Sequence, residues 1–302
     1  LLPFFWLRAI AFALRVFWLR AIALALRVRP EDTGKQNILT ENEPGRFAIV
    51  AYNVCSLRRT DMPQLTPELL VQGFVWYIVF LFSTTCHEAS HAFAAKLGGD
   101  LTAFHGGQVT LNPLPHMRRE PFGMLLVPII SFVLGGWMIG WASAPYDPFW
   151  QARYPRRAAW MSLAGPGANF ILMIIGALAI RIGILAGMFQ QPALIGFSSI
   201  TQPVNPDAAS DVARFAAMFV SLLFFQNLLL GTFNLLPVPP LDGATGVTVF
   251  MGEKMALRFL DFMRDPSFSM VGIIAAWFLF DKIFDPIFTL ALSILYPGAR
   301  YS

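Results

Sequence analysis

Charge is scarce in this chain. Asp, Glu, Lys and Arg make up 13% of its 302 residues, about half of what a soluble domain carries. Hydrophobic residues make up 56%, and the mean hydropathy is +0.58. Those values exclude an ordinary soluble domain and point to one membrane domain, largely embedded in lipid. Cysteine is nearly absent: Cys55 and Cys86 are the 2 present, which excludes a disulfide framework. Cys86 lies inside an apolar run and is expected as a small packed residue. A concentrated basic surface is also missing. The net charge is +4, but Lys and Arg sit in short loops between apolar runs, where membrane topology puts them. A nucleic-acid reader would gather them on a polar face instead. The lipid bilayer is therefore the expected partner, and nucleic acid is not.

What is present begins with a repeat. Residues 5–16 (FWLRAIAFALRV) recur at once as 17–28 (FWLRAIALALRV), differing at Phe12 and Leu24. This period is too short for a solenoid. As an interfacial helix it is also poor, because Arg8 and Arg15 point roughly 120° away from Arg20 and Arg27. No small-residue cleavage site follows it, and residues 29–61 read as a polar linker. Residues 1–61 are expected to be a duplicated or mis-started extension, with the functional chain (62–302) opening near Met62.

From there, apolar runs of membrane-spanning length recur. Residues 71–97 form the first, stopped by Gly98-Gly99. Residues 158–189, 212–236 and 268–295 are the others, the last marked by Asp281, Lys282 and Asp285-Pro286. Between the first two lie a segment, 102–116, that reads as a hairpin with Gln108–Leu111 strand-like, and an apolar stretch, 123–141, broken by Pro128 and Gly135-Gly136. The expected fold is an all-α polytopic membrane protein. It has about four full transmembrane helices, a re-entrant or broken apolar segment and a short β-hairpin near the site.

Charge orients these runs. Lys96, Arg118, Arg119, Arg153, Arg156, Arg157, Lys254, Arg258 and Arg264 fall in three regions. The loop 190–211 has no basic residue and carries Asp207 and Asp211. The three basic regions are then cytoplasmic and 190–211 is outside. Both flanks of 123–141 lie on one side, so that stretch should enter and return, shielded by protein. Two separate spans also deliver His87 and Asp242 to a similar depth, near the cytoplasmic side.

His87-Glu88-Ala89-Ser90-His91 places two histidines four residues apart, about 40° apart on one helix face. They can take two corners of a tetrahedral zinc site. Glu88 sits one step round, placed to take a proton from water rather than to bind metal. Ionisable groups are costly in lipid and mark function there. A third ligand is needed. Glu120 belongs to an ordinary charged loop. Asp242 is better: Pro237, Pro239 and Pro240 hold the chain extended before it and Gly243 frees the backbone after it. Alone, however, that run also reads as a loop with Asp242 capping a helix. Asn169, Gln226 and Asn227 are expected to bridge helices by hydrogen bonds, Gly165 to permit close helix packing, and His105 and His116 to lie in loops.

Together HEASH (87–91), AGPGAN (164–169) and NLLPVPPLDG (234–243) resemble the site-2 protease family of intramembrane zinc metalloproteases, over roughly 62–302. That resemblance implies His87, His91 and Asp242 as Zn2+ ligands, Glu88 as catalytic base, and Asn234 as a substrate or oxyanion contact. It further implies cleavage of transmembrane segments in single-span membrane proteins, often releasing a regulator, in a multi-pass protein of the bacterial cytoplasmic membrane. TLNPLPH (110–116) fits a small bacterial branch. No PDZ-like or nucleotide-sensing domain is recognisable. A transporter or channel, or an inactive relative that holds membrane segments, are the competing readings.

Overall fold

A computed structural model describes residues 66–298; the repeat and the linker lie outside the described residues. Helix α1 is Pro67–Gly98, 32 residues, about 48 Å long. Thr66 caps its start by accepting from the Leu69 amide, Pro67 occupies the first turn, and Gly99 ends it at a φ of 95°. Two short helices follow, α2 (Thr102–His105) and α3 (Pro113–Arg119). Next come a π-helical turn, Phe122–Leu126, and helix α4, Val127–Gly135. After α5 (Pro148–Arg153) the long helix α6 runs over Pro155–Leu185. Strands β1 (Phe189–Gln190) and β2 (Gln202–Pro203) pair antiparallel before helix α7, Asp211–Asn234. The chain closes with α8 (Asp242–Gly246), a 3-10 turn, α9 (Glu253–Met263) and α10 (Pro266–Leu295).

Among the described residues, α1, α6 and α7 are long and apolar enough to cross a membrane. Helix α6 packs along both of the others. Contact with α7 is close enough that a Cβ on Gly176 would lie 2.8 Å from the Phe224 amide nitrogen. Helix α10 also has 30 residues; its apolar stretch, Val271–Phe280, runs into Asp281, Lys282 and Asp285. It meets α7 through rings: Phe280 lies edge-on to Phe233 at 5.2 Å, and Phe288 edge-on to Phe225 at 5.6 Å.

The stretch 123–141 doubles back on itself, a path compatible with the re-entrant reading of its flanking charges. Phe122–Gly135 is about 21 Å of helix, too short to cross a bilayer. Gly136 turns it at a φ of 73°, and the chain comes back extended until the Trp141 amide donates to the Gly123 carbonyl at 3.2 Å. Both backbones touch there. A Cβ on Gly123 would overlap the Trp141 carbonyl, and one on Gly140 would overlap that of Gly123.

The hairpin expected over 102–116 does not form; the antiparallel pair described lies at β1–β2, and 108–111 is irregular chain between α2 and α3. Asn112-Pro113 is the reason. It reads as a strand stop, but Asn112 accepts from the Leu114 amide at 3.0 Å and Pro113 takes the first helical position, so the pair starts α3. Among the described residues no second strand lies beside Gln108–Leu111.

Asp100 ties this region to α1. Its Oδ1 accepts from the Thr102 amide at 2.9 Å and its Oδ2 from the Asp147 amide at 2.8 Å. Burial raises the carboxyl's pKa, but the bonds from Thr102 and Asp147 outweigh burial and hold it below the usual range. A depressed folded-state pKa gives stabilisation that is present above the unfolded value near 3.9 and is lost as pH falls through the folded one. Asp100→Asn turns an amide N–H toward one part-buried donor, so it is expected to cost about 1 kcal/mol at neutral pH. In thermal melts, the gap between variant and wild type should narrow below about pH 4; a gap that stays constant down to strong acid would refute this role.

Candidate metal centre

Helix α1 carries His87 and His91 on adjacent turns, both 7% exposed. Their Nε2 atoms lie 3.0 Å apart. Asp242 arrives from the other side, at the start of α8, and its Oδ2 is 3.0 Å from His87 Nε2 and 3.2 Å from His91 Nε2. Ser162 on α6 donates its hydroxyl to the Asp242 carbonyl at 2.7 Å and so pins the backbone that carries the acid. The structure thus brings together the two histidines and the acid expected from the sequence, and the three could hold a metal ion.

The chemistry of these donors fits a cation. His91 Nδ1 lies 2.8 Å from the Met161 carbonyl. A carbonyl only accepts, so Nδ1 carries the proton and Nε2 keeps its lone pair. His87 Nδ1 lies 2.6 Å from Asn169 Oδ1, which has the same effect. Two imidazole lone pairs and a carboxylate oxygen therefore face one another at hydrogen-bond distance with no proton assigned between them. A divalent ion resolves that conflict, and such second contacts are what metal-bound histidines normally have.

Space for an ion comes from Gly165. A Cβ there would overlap His91 Nε2 and lie 2.6 Å from His87 Nε2. Gly165 was expected to permit close helix packing, and what it lets approach are the α1 histidine side chains, so it also keeps the floor beneath the donor atoms open. Met161, Gly165 and Asn169 follow one another at four-residue spacing on one face of α6. The first holds His91, the second leaves the gap, and the third holds His87.

Glu88 is 4% exposed, on the same helix as the histidines, and the titratable groups around it are His87, His91, Asp242 and His116. His116 departs from expectation. It lies on α3 rather than in a loop, is 1% exposed, and donates from Nε2 to the Thr110 carbonyl at 3.1 Å, with Nδ1 buried and unpartnered. Short α3 buries it, and a lone histidine in a polar, proline-rich stretch gives no warning of that. His105 is exposed, at the end of α2. Asn234 is not drawn to the cluster: its Nδ2 donates back to the Leu230 carbonyl at 3.1 Å. Glu120 accepts from Ser143 at 2.6 Å, away from the triad. Asn169, Gln226 and Asn227 do bridge elements. Gln226 Nε2 reaches the Met138 carbonyl at 3.5 Å, and Asn169 joins Asn227 at 2.8 Å. Met161 and Ser162 escaped sequence reasoning, because one acts through its backbone and the other is an ordinary helix serine.

Residues 75–262 match the model of peptidase family M50. YwhC of Bacillus subtilis, named as a candidate zinc metalloprotease, is 33% identical over 167 residues, covering 55% of this chain and 64% of that protein. Rip2 of Mycolicibacterium smegmatis, named likewise, is 29% identical over 180 residues, covering 59% of this chain and 58% of that one. Rip2 of Mycobacterium tuberculosis H37Rv is 27% identical over 180 residues, with 51% and 68% covered. The chain therefore spans between half and two thirds of the first two relatives it matches. No solved structure matches the chain at a significant level.

Proposed function

The chain belongs to peptidase family M50, and from that premise we propose that it is a zinc-dependent intramembrane endopeptidase that cuts transmembrane segments of single-span membrane proteins. The observation that carries this reading is the convergence of two aprotic imidazole nitrogens and one carboxylate oxygen over an open glycine floor. His87, His91 and Asp242 are the proposed ligands. Zinc bound there supplies Lewis acidity, polarising a peptide carbonyl and lowering the pKa of water toward about 7.

The chain's own residues do the rest. Glu88 takes the proton of the attacking water and returns it to the leaving amine. Asn234 stands on the last turn of α7, just before the proline-rich run. It contacts the substrate or the developing oxyanion once its amide leaves Leu230. Apolar helices shield the site, so the substrate helix must unwind locally to present a peptide bond.

The membrane reading is supported by three helices of spanning length and a returning fourth element. The proposed location is the bacterial cytoplasmic membrane, with the site toward the cytoplasm. Lys96 lies in the last turn of α1, and Arg157 at the start of α6 donates to the Gly98 carbonyl at 3.1 Å, which gathers basic groups at one end of this helix pair. His91 is seven residues from Gly98, about 10 Å of helix.

Co-expression with a panel of single-span membrane proteins tests the function. At least one is expected to be cut by wild type, near its cytoplasmic side, and left whole by His91→Ala, whose zinc content should fall with it. Cleavage that persists unchanged in zinc-free His91→Ala would overturn the reading.

A further inference from the structure

His91 and His87 are fixed by different devices. His91 donates to a backbone carbonyl, an acceptor that cannot be reversed. His87 instead meets an asparagine, whose amide can present either oxygen or nitrogen. What decides the direction of that amide lies further back, on a third helix.

Asn227, on α7, is fully buried. Its Nδ2 donates to the Leu223 carbonyl at 2.8 Å and to Ser83 Oγ at 2.9 Å. Leu223 O accepts only, so Asn227 must turn its nitrogen toward it. Asn227 Oδ1 then faces Asn169, also fully buried, which must answer with its own Nδ2 at 2.8 Å. Asn169 is left with Oδ1 toward His87, at 2.6 Å. An oxygen there requires the proton on His87 Nδ1 and leaves Nε2 bare. Each link has one allowed orientation once the backbone carbonyl is fixed, so the direction passes from α7 through α6 to α1. Water, which could relax the pattern in an exposed network, has no access to residues this buried.

We propose that Asn169 and Asn227 are positioning residues that set the tautomer and ring direction of His87, so that Asn227 controls metal affinity without touching a metal ligand. The inference rests on the reading of His87 as a zinc ligand. It assigns Ser83 a lesser part. Leu223 O alone orients Asn227, and the Ser83 hydroxyl accommodates either neighbour because it both donates and accepts.

The test measures zinc affinity of the purified full chain by competition with a chromophoric chelator, alongside thermal melting of the metal-free protein. Asn169→Leu and Asn227→Leu are each expected to weaken zinc binding about 10- to 100-fold, and Ser83→Ala to change it less than about twofold. The decisive comparison uses Asn169→Asp. Both oxygens of a carboxylate accept, so the side chain introduced by Asn169→Asp holds His87 Nδ1–H without direction from Asn227. Adding Asn227→Leu to that background should leave affinity unchanged. If Asn227→Leu weakens binding equally in the wild-type and Asn169→Asp backgrounds, Asn227 acts by packing alone and the relay is refuted. Full affinity in Asn169→Leu refutes it as well. Should Asn227→Leu fail to fold, Asn169→Asp still decides: it must bind zinc more tightly than Asn169→Leu. A wild-type protein that takes up no zinc would overturn the metal reading itself, a result separate from either failure of the relay.

Discussion

Gly165→Ala is expected to leave a folded protein that no longer holds zinc. The added methyl would overlap His91 Nε2 and come within 2.6 Å of His87 Nε2, in the volume a metal at normal zinc–nitrogen distances of about 2.0–2.1 Å must share. Backbone on α1 and α6 cannot easily retreat. Arg157 and Trp150 both donate to the Gly98 carbonyl, and the Met161 carbonyl is held to His91. Helix α6 itself has no objection to alanine, which favours a helix interior over glycine by about 1 kcal/mol. In metal-free protein the methyl still meets the ends of both imidazoles, so the melt is expected to hold or to fall modestly as the rings swing aside. Zinc content should drop more than about tenfold and cleavage fall to background. Stoichiometric zinc in Gly165→Ala would sink this account of the floor.

Glycine at that position was visible in the sequence, but its use was not. AGPGAN marks a small-residue stretch in an apolar run, which ordinarily signals helices approaching closely. Only the packing of α6 along α1 turns Gly165 toward the histidines and Asn169 toward His87 Nδ1. His87, His91 and Asp242 were legible for a different reason. Ligand spacing on one helix is local, and Asp242, which alone also reads as a helix cap, was picked out by its pairing with that spacing. The doubling back of 123–141 agrees with its flanking charge, since basic residues on both flanks disfavour a single crossing. The segment 102–116 was misread because its punctuation is ambiguous. Asn-Pro ends a strand or begins a helix with equal ease, and the choice depends on whether a second strand is near. His116 shows the same limit from another side: burial of a residue on a seven-residue helix is decided by what packs over it, and no local pattern carries that information.

Replacing Glu88 by glutamine separates catalysis from metal binding. Glutamine keeps the length and hydrogen-bonding capacity of the side chain but cannot take a proton from water. His87, His91 and Asp242 are untouched by the change, and their supports, Asn169, Met161 and Ser162, lie on α6 rather than beside Glu88. Zinc content and substrate capture are therefore expected to match wild type, while cleavage falls by about 10²–10⁴-fold, the range a general base supplies. Removing a charge from a site that is 4% exposed should leave the melting temperature level or raise it, because burying a carboxylate is costly. The pattern also divides the competing functions. A transporter or a binding-only relative uses Glu88, if at all, as a polar contact, which glutamine preserves. In a protease the proton acceptor is indispensable, so uncut substrate should accumulate bound to Glu88→Gln and co-purify with it. Identical product patterns from wild type and zinc-loaded Glu88→Gln would remove Glu88 from the chemistry and the proteolytic mechanism along with it.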